Sequence, residues 1–212
     1  MAAYLDSYFK KGSTHEVCED YALTGAHGLL NYSIVSDGCS ACDNVDIGAR
    51  LLSLIAADTI RYYYRIGVFG KQPIPFSIEE IKKSILKRIA ETSSFLKLEN
   101  TAFSATLLIT VDIFGGPSFF LGWGDGYFIE KKKDSTLFTK IEFQSSAPFF
   151  LNYYIQEDNS LLSAIDQYKD FSGVKKVIVS EYLSKKGASP VLIRTTEANP
   201  VEFYYFKAID KS

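Results

Sequence analysis

Residues 31–50, NYSIVSDGCSACDNVDIGAR, constrain the fold more than any other stretch. A short apolar run at 32–35 has strand character, and Ser36-Asp37-Gly38 ends it. A helix start follows at once. This order places Asp37 at the C-terminal end of a core strand, where a carboxylate is held rigidly yet faces a cleft. Gly38 has no Cβ, so its backbone can approach whatever Asp37 holds. A carboxylate beside an open carbonyl is a hard-oxygen site of the kind Mg²⁺ or Mn²⁺ prefers. On the dipeptide alone, an ordinary Asp-Gly turn explains the same residues.

The rest of the chain can supply a core around that strand. Its 212 residues suit one domain or two small ones, and 47% of them are hydrophobic. Fourteen Tyr and sixteen Phe favour a sheet-rich fold. Net charge is −2 and no basic stripe is present, so nothing points to nucleic acid. The run Lys131-Lys132-Lys133 before Asp134 reads as a hairpin tip. No signal peptide is evident, and no apolar stretch reaches the roughly 18 residues that span a bilayer. Three cysteines, an odd number, argue against a disulfide framework and fit a reducing cytoplasm.

In order, residues 4–9 read as an edge-like strand, and 21–23 as a second strand preceded by Glu19 and Asp20. A hairpin through residues 24–30 would bring Glu19 close to Asp37. Asp43 reads as an N-cap with Asp46 three residues on, opening a helix over 44–65. Its face Leu52, Ile55, Ala56 and Thr59 points to the sheet; Arg50, Ser53, Ala57 and Arg61 lie on another. Tyr62, Tyr63 and Tyr64 would cover the sheet edge. After a Gly- and Pro-containing loop at 67–75, Ser77 and Glu80 form a capping box for a helix to about residue 98, with Ile78, Ile81, Ile85 and Ile89 buried. The two helices form a layer on one sheet face. A meander follows, with strands at 103–114, 118–123, 127–132 and 136–143. Gly124-Asp125-Gly126 marks a bulge or bend that presents a carboxylate. Beyond it come an aromatic loop at 145–154, a short helix at 161–168, and strands at 175–180, 191–195 and 201–206. Trp123, and the pairs Phe149-Phe150 and Tyr153-Tyr154, read as buried packing.

Three segments taken together, HEVCEDYAL (15–23), SIVSDGCS (33–40) and GWGDGYFI (122–129), resemble the PP2C-type metal-dependent protein phosphatases. Ser104-Ala105-Thr106 ahead of Leu107-Leu108-Ile109 resembles that family's small-small-Thr strand start. The resemblance covers a little over half of the chain. It implies one α/β (α+β) domain over 1–212, a four-layer α-β-β-α sandwich of two mainly antiparallel sheets, with residues from about 145 to 212 divergent or trimmed. It implies two Mn²⁺ or Mg²⁺ ions, with Asp37 bridging them, Gly38 offering its carbonyl and Glu19 a ligand. Asp20 would receive a hydrogen bond from a bound water, and Asp125 would stand near a third, looser ion. His15 stands where many members carry a phosphate-binding Arg. The implied reaction is hydrolysis of phosphoserine and phosphothreonine in protein substrates by a metal-activated water. Two ions about 3.5–4 Å apart acidify water and clamp phosphoryl oxygens for in-line attack, with no covalent intermediate.

The chain departs from the pattern twice. Cys39 follows Asp-Gly where many members have His, so the general acid is unassigned. No second Asp-Gly follows Asp125-Gly126. On the late strand of 174–184, Glu181-Tyr182 stands where Asp-Gly is expected, making Glu181 the candidate late ligand. Asp158-Asn159 precedes that strand, and Asp210 lies near the terminus. A metal cage with fewer charges binds more weakly. Two other functions follow from the same residues. One is a degenerate phosphatase fold serving as a binding or regulatory module. The other is a zinc protein using His15, Cys18, Cys39 and Cys42, whose spacing gives two metal-ligand pairs.

Overall fold

The computed structural model describes residues 5–11, 13, 16–71, 74–144, 148–155, 176–199 and 203–209. Strands β1 (Asp20–His27) and β2 (Leu30–Asp37) form a hairpin. Both strands are longer than the sequence indicated. Gly28, with φ 61°, makes the turn possible in two residues, so the expected 24–30 loop is mostly paired strand. Residues 5–11 are irregular, not an edge strand; Phe9 packs on Tyr21 with ring centroids 5.2 Å apart.

Helix α1 (Val45–Arg65) follows, then the single turn α2 (Val68–Lys71) and α3 (Ile74–Leu96). Asp43 is not the cap of α1. Asn44 takes that place at φ 58° without a side-chain cap bond, and Asp46 in the first turn complements the helix dipole. Ser77 does not cap α3 either. The helix starts three residues earlier, where Pro75 loses nothing by lacking an N–H in the first turn. Ser77 is buried inside it. The isoleucine stripe Ile78, Ile81, Ile85 and Ile89 is fully buried, as its spacing predicts. On α1, Leu52, Ala56 and Thr59 are buried, but so are Ser53 and Ala57. The second pair is covered because α1 packs against α3 as well as against the sheet. Arg88 of α3 pairs with Asp58 of α1 and holds its carboxyl below the usual range. Tyr64 closes the β1–β2 turn, its hydroxyl accepting from the Leu29 N–H at 3.1 Å.

A 3₁₀ turn (Asn100–Phe103) leads into β3 (Leu107–Ile113), and β4 (Ser118–Trp123) pairs with it. The chain then changes sheet. Strands β5 (Gly126–Lys131), β6 (Ser135–Phe143), β7 (Val177–Lys185) and β8 (Val191–Ala198) form a second antiparallel sheet, in that order. Strand β9 (Tyr205–Ala208) returns to the first, whose order is β1-β2-β3-β4-β9. The expected meander is therefore two hairpins in two sheets. Strands from the last third of the chain complete both. The expected helix at 161–168 lies outside the described residues, as do residues 201 and 202 of the last expected strand.

One face of the first sheet packs under α1 and α3 through Leu30, Tyr32, Ile34, Ile109, Leu121 and the fully buried Trp123. Its other face meets the second sheet through Leu108, Phe120, Phe128, Ile141 and Val179. Phe128 stacks between Phe120 (4.6 Å) and Tyr205 (5.5 Å). The fold is thus an α+β sandwich of two antiparallel sheets with a helical layer on one side. Among the described residues, no helix lies on the outer face of the second sheet. Among the described residues, no helix is long and apolar enough to cross a membrane.

Candidate metal centre

The antiparallel register sets Asp20, the first residue of β1, directly opposite Asp37, the last of β2. Residues so paired have Cβ atoms about 5 Å apart, and the two carboxyl groups share a hydrogen bond. The backbone beside them is held from both sides. Gly38 N–H donates to the Glu19 carbonyl at 3.2 Å, and Cys39 N–H to the Ser104 carbonyl at 2.8 Å. A Cβ at Gly38 would stand 2.9 Å from the Glu19 oxygen, so glycine is required for this closeness of backbone to backbone. That is a different reason from the open approach to a ligand expected from the sequence.

Thr106 fixes Asp37 in place. The Asp37 N–H donates to Thr106 Oγ1 at 3.0 Å, and the Asp37 carbonyl accepts from the Thr106 N–H at 2.8 Å. Ser36 Oγ donates to the Thr106 carbonyl at 2.7 Å. Behind it, Asn152 Nδ2 donates to Ser104 Oγ at 3.0 Å. In the sequence, Ser104-Ala105-Thr106 reads only as a strand start, and that reading does not mark Thr106, Ser104 or Asn152 as supports of the site. The signal was present: hydroxyls at alternate positions in an otherwise apolar strand start need partners.

Asp125 arrives from the point where the chain crosses between sheets. Gly124 and Gly126 have φ values of 94° and 143°, and side chains there would collide with Thr106 (2.9 Å) and Leu108 (2.5 Å). The crossing therefore presses Asp125 toward the start of β3, on the same side as Asp37. Together they line a cleft of about 310 Å³ with Thr106, Val35, Tyr127 and Ile129.

The electrostatics follow from this gathering. Asp37 is pushed up to about 6, chiefly by burial, then by its bond to Asp20 and the charges of Asp20, Asp125 and Glu19. Burial also raises Asp125, with a smaller push from Glu142. The charges of Asp20, Asp125 and Glu19 thus gather on Asp37 at one end of the sandwich, where a cation would relieve them. That donor set, all oxygen, fits Mg²⁺ or Mn²⁺. Among the described residues, no three His, Cys, Asp or Glu side chains converge closely enough to hold a metal ion.

Other expected ligands stand elsewhere. Glu181 is interior to β7, opposite Thr139 of β6, and accepts from Lys207 Nζ at 2.7 Å. It is absent from the cleft lining and from the charges acting on Asp37. The strand continues past it to Lys185, so Glu181-Tyr182 does not end a strand as Asp-Gly would. His15, Asp158-Asn159 and Asp210 lie outside the described residues. Cys39 and Cys42 adjoin each other through a turn, Cys42 N–H to Cys39 carbonyl at 2.9 Å, with Ser104 beside Cys42. Burial and these two thiols push Tyr153 up to about 12. Cys18 instead donates weakly to the Asp20 carbonyl at 3.5 Å.

The residues themselves define a two-sheet α+β sandwich with an acidic cluster at one end. The model of the family Protein phosphatase 2C matches residues 11–149, well over half of the chain, and the chain belongs to that family. The match includes Glu19, Asp20, Asp37 and Asp125 and stops before β7. Comparison with curated proteins and with solved structures returns no significant match.

Proposed function

We propose that this protein is a metal-dependent serine/threonine phosphatase acting on phosphorylated proteins. The observation that carries the reading is the gathering of the Asp20, Asp125 and Glu19 charges on Asp37 at the end of the sandwich, inside the family match. Asp37, Glu19, Asp125 and the Gly38 carbonyl would hold Mn²⁺ or Mg²⁺, with Asp20 orienting water beside them. Divalent ions so held supply positive charge to phosphoryl oxygens and acidify water. Thr106 keeps Asp37 in register for this. His15, if protonated, would donate a hydrogen bond to the phosphate. The whole chain acts as one domain in this reading, since β7, β8 and β9 complete both sheets. Three free cysteines fit a cytoplasmic location.

A second reading has its own support. Glu181 is engaged by Lys207, and no other late carboxylate joins the cluster among the described residues. A site short of charge binds its ions weakly, and a binding module with this fold would show the same arrangement. Hydrolysis of an aryl phosphate and of a phosphothreonine peptide, with and without Mn²⁺, separates the two. The phosphatase reading expects Mn²⁺-dependent turnover that disappears in Asp37→Asn. A folded protein with no turnover at millimolar Mn²⁺ or Mg²⁺ leaves the binding module.

A further inference from the structure

The end of the sandwich opposite the acidic cluster is basic. Strand β5 runs from Gly126, beside Asp125, to Lys131, about 17 Å away at the usual strand rise. There the β5–β6 tip carries Lys131, Lys132 and Lys133. The register of β6 and β7 pairs Ser135 with Lys185, so the β7–β8 tip with Lys185 and Lys186 lies alongside. The two tips are tied together, Lys186 N–H donating to the Asp134 carbonyl at 3.2 Å. Five exposed lysines, separated by more than fifty positions in sequence, thus line one cleft of about 380 Å³. The carboxylates among them are few: Asp134 within the tip, and Glu130, 3.5 Å from Lys132.

We propose that this cleft binds an acidic polypeptide segment, rich in Asp, Glu or phosphoserine. Like charges closer than the Debye length repel, and an anionic chain laid between the tips relieves that repulsion. A polypeptide fits better than a nucleic acid for three reasons. The patch is short. The whole chain is net negative, which repels a long polyanion beyond the patch. No aromatic ring or arginine lines the cleft to stack on bases or fork to phosphates. The site is independent of any activity at the acidic end.

The test uses the full chain and a fluorescein-labelled hexaglutamate peptide, read by anisotropy, against hexaglutamine and a short oligothymidylate. Binding to hexaglutamate alone is expected in about 0.02 M salt, weakening at least about tenfold by about 0.2 M. Joint substitution Lys131→Gln, Lys133→Gln, Lys185→Gln and Lys186→Gln should abolish it while the melting temperature is retained. Asp134→Asn should tighten binding about twofold, a gain that damage to the fold would not produce. No binding of hexaglutamate, equal binding by the lysine variant, no gain in Asp134→Asn, or tighter binding of the oligothymidylate overturns the proposal.

Discussion

Replacing Asp37 by Asn should stabilise the metal-free protein. In the folded chain the carboxyl holds its proton up to a pH of about 6, against an ordinary value of 3.8. The folded state therefore binds this proton more tightly than the unfolded one. Wild-type stability falls as pH rises through that window, and the loss is complete above about pH 6. A shift of about two units corresponds to roughly 3 kcal/mol. Asp37 stands at an open cleft mouth and shares its proton with Asp20, so solvent screening leaves about 1 kcal/mol. Asn keeps the shape, can donate to Asp20 and carries no charge. For a chain of this size the gain is about 2–4 °C in Tm. Thermal melts in chelator at pH 7.5 and at pH 4 provide the assay. The variant should melt higher at pH 7.5 and level with wild type at pH 4. Saturating Mn²⁺ should reverse the order, since a ligand at a hundred times its Kd adds about 2.7 kcal/mol to wild type alone. A variant that melts at or below wild type in chelator at pH 7.5 refutes the reasoning.

Other perturbations separate the parts of the account. Mn²⁺ competes with the proton on Asp37, so its affinity, followed by calorimetry, should fall about tenfold per pH unit below pH 6 and level off above pH 7. Glu181→Gln should leave Mn²⁺ affinity unchanged while costing about 1–2 kcal/mol in urea unfolding, because it weakens only the half-buried pair with Lys207. A large loss of Mn²⁺ affinity there would restore Glu181 as a ligand. Gly48→Ala should cost about 3 kcal/mol or more. Its Cβ would lie 1.7 Å from the Ala102 carbonyl oxygen, where helix α1 crosses the turn leading to Thr106. Soluble yield and circular-dichroism melts would show it.

The site's early half was legible because local rules and packing agreed there. An apolar run ending in Asp-Gly is both a strand terminator and an acid presenter, and the β1–β2 hairpin did bring Glu19 and Asp20 to Asp37. The isoleucines of α3 were legible for the same reason, since only one face repeats at helical spacing. What was not legible depended on distant partners. Gly124 and Gly126 read as a bulge or bend within a single meander. Their positive φ values instead move the chain to the other sheet, a choice fixed by Thr106 and Leu108 packed against them. Thr106 could not be seen as the clamp on Asp37 until β2 and β3 were adjacent. Asp43 matched a capping pattern, but the turn through Cys39 and Cys42 delivers Asn44 to the helix start. Glu181 matched by position in the sequence, and its pairing with Lys207 from the opposite sheet could not be read there. The lysine tips read as a single run because their second half lies across a strand pair.

Counting bound Mn²⁺ by electron paramagnetic resonance, at pH 7.5 in wild type and Asp37→Asn, tests the central claim most directly. The account predicts saturable Mn²⁺ binding to wild type and its loss in a variant that remains folded. Equal binding by both proteins, or none by wild type at millimolar Mn²⁺, would contradict it.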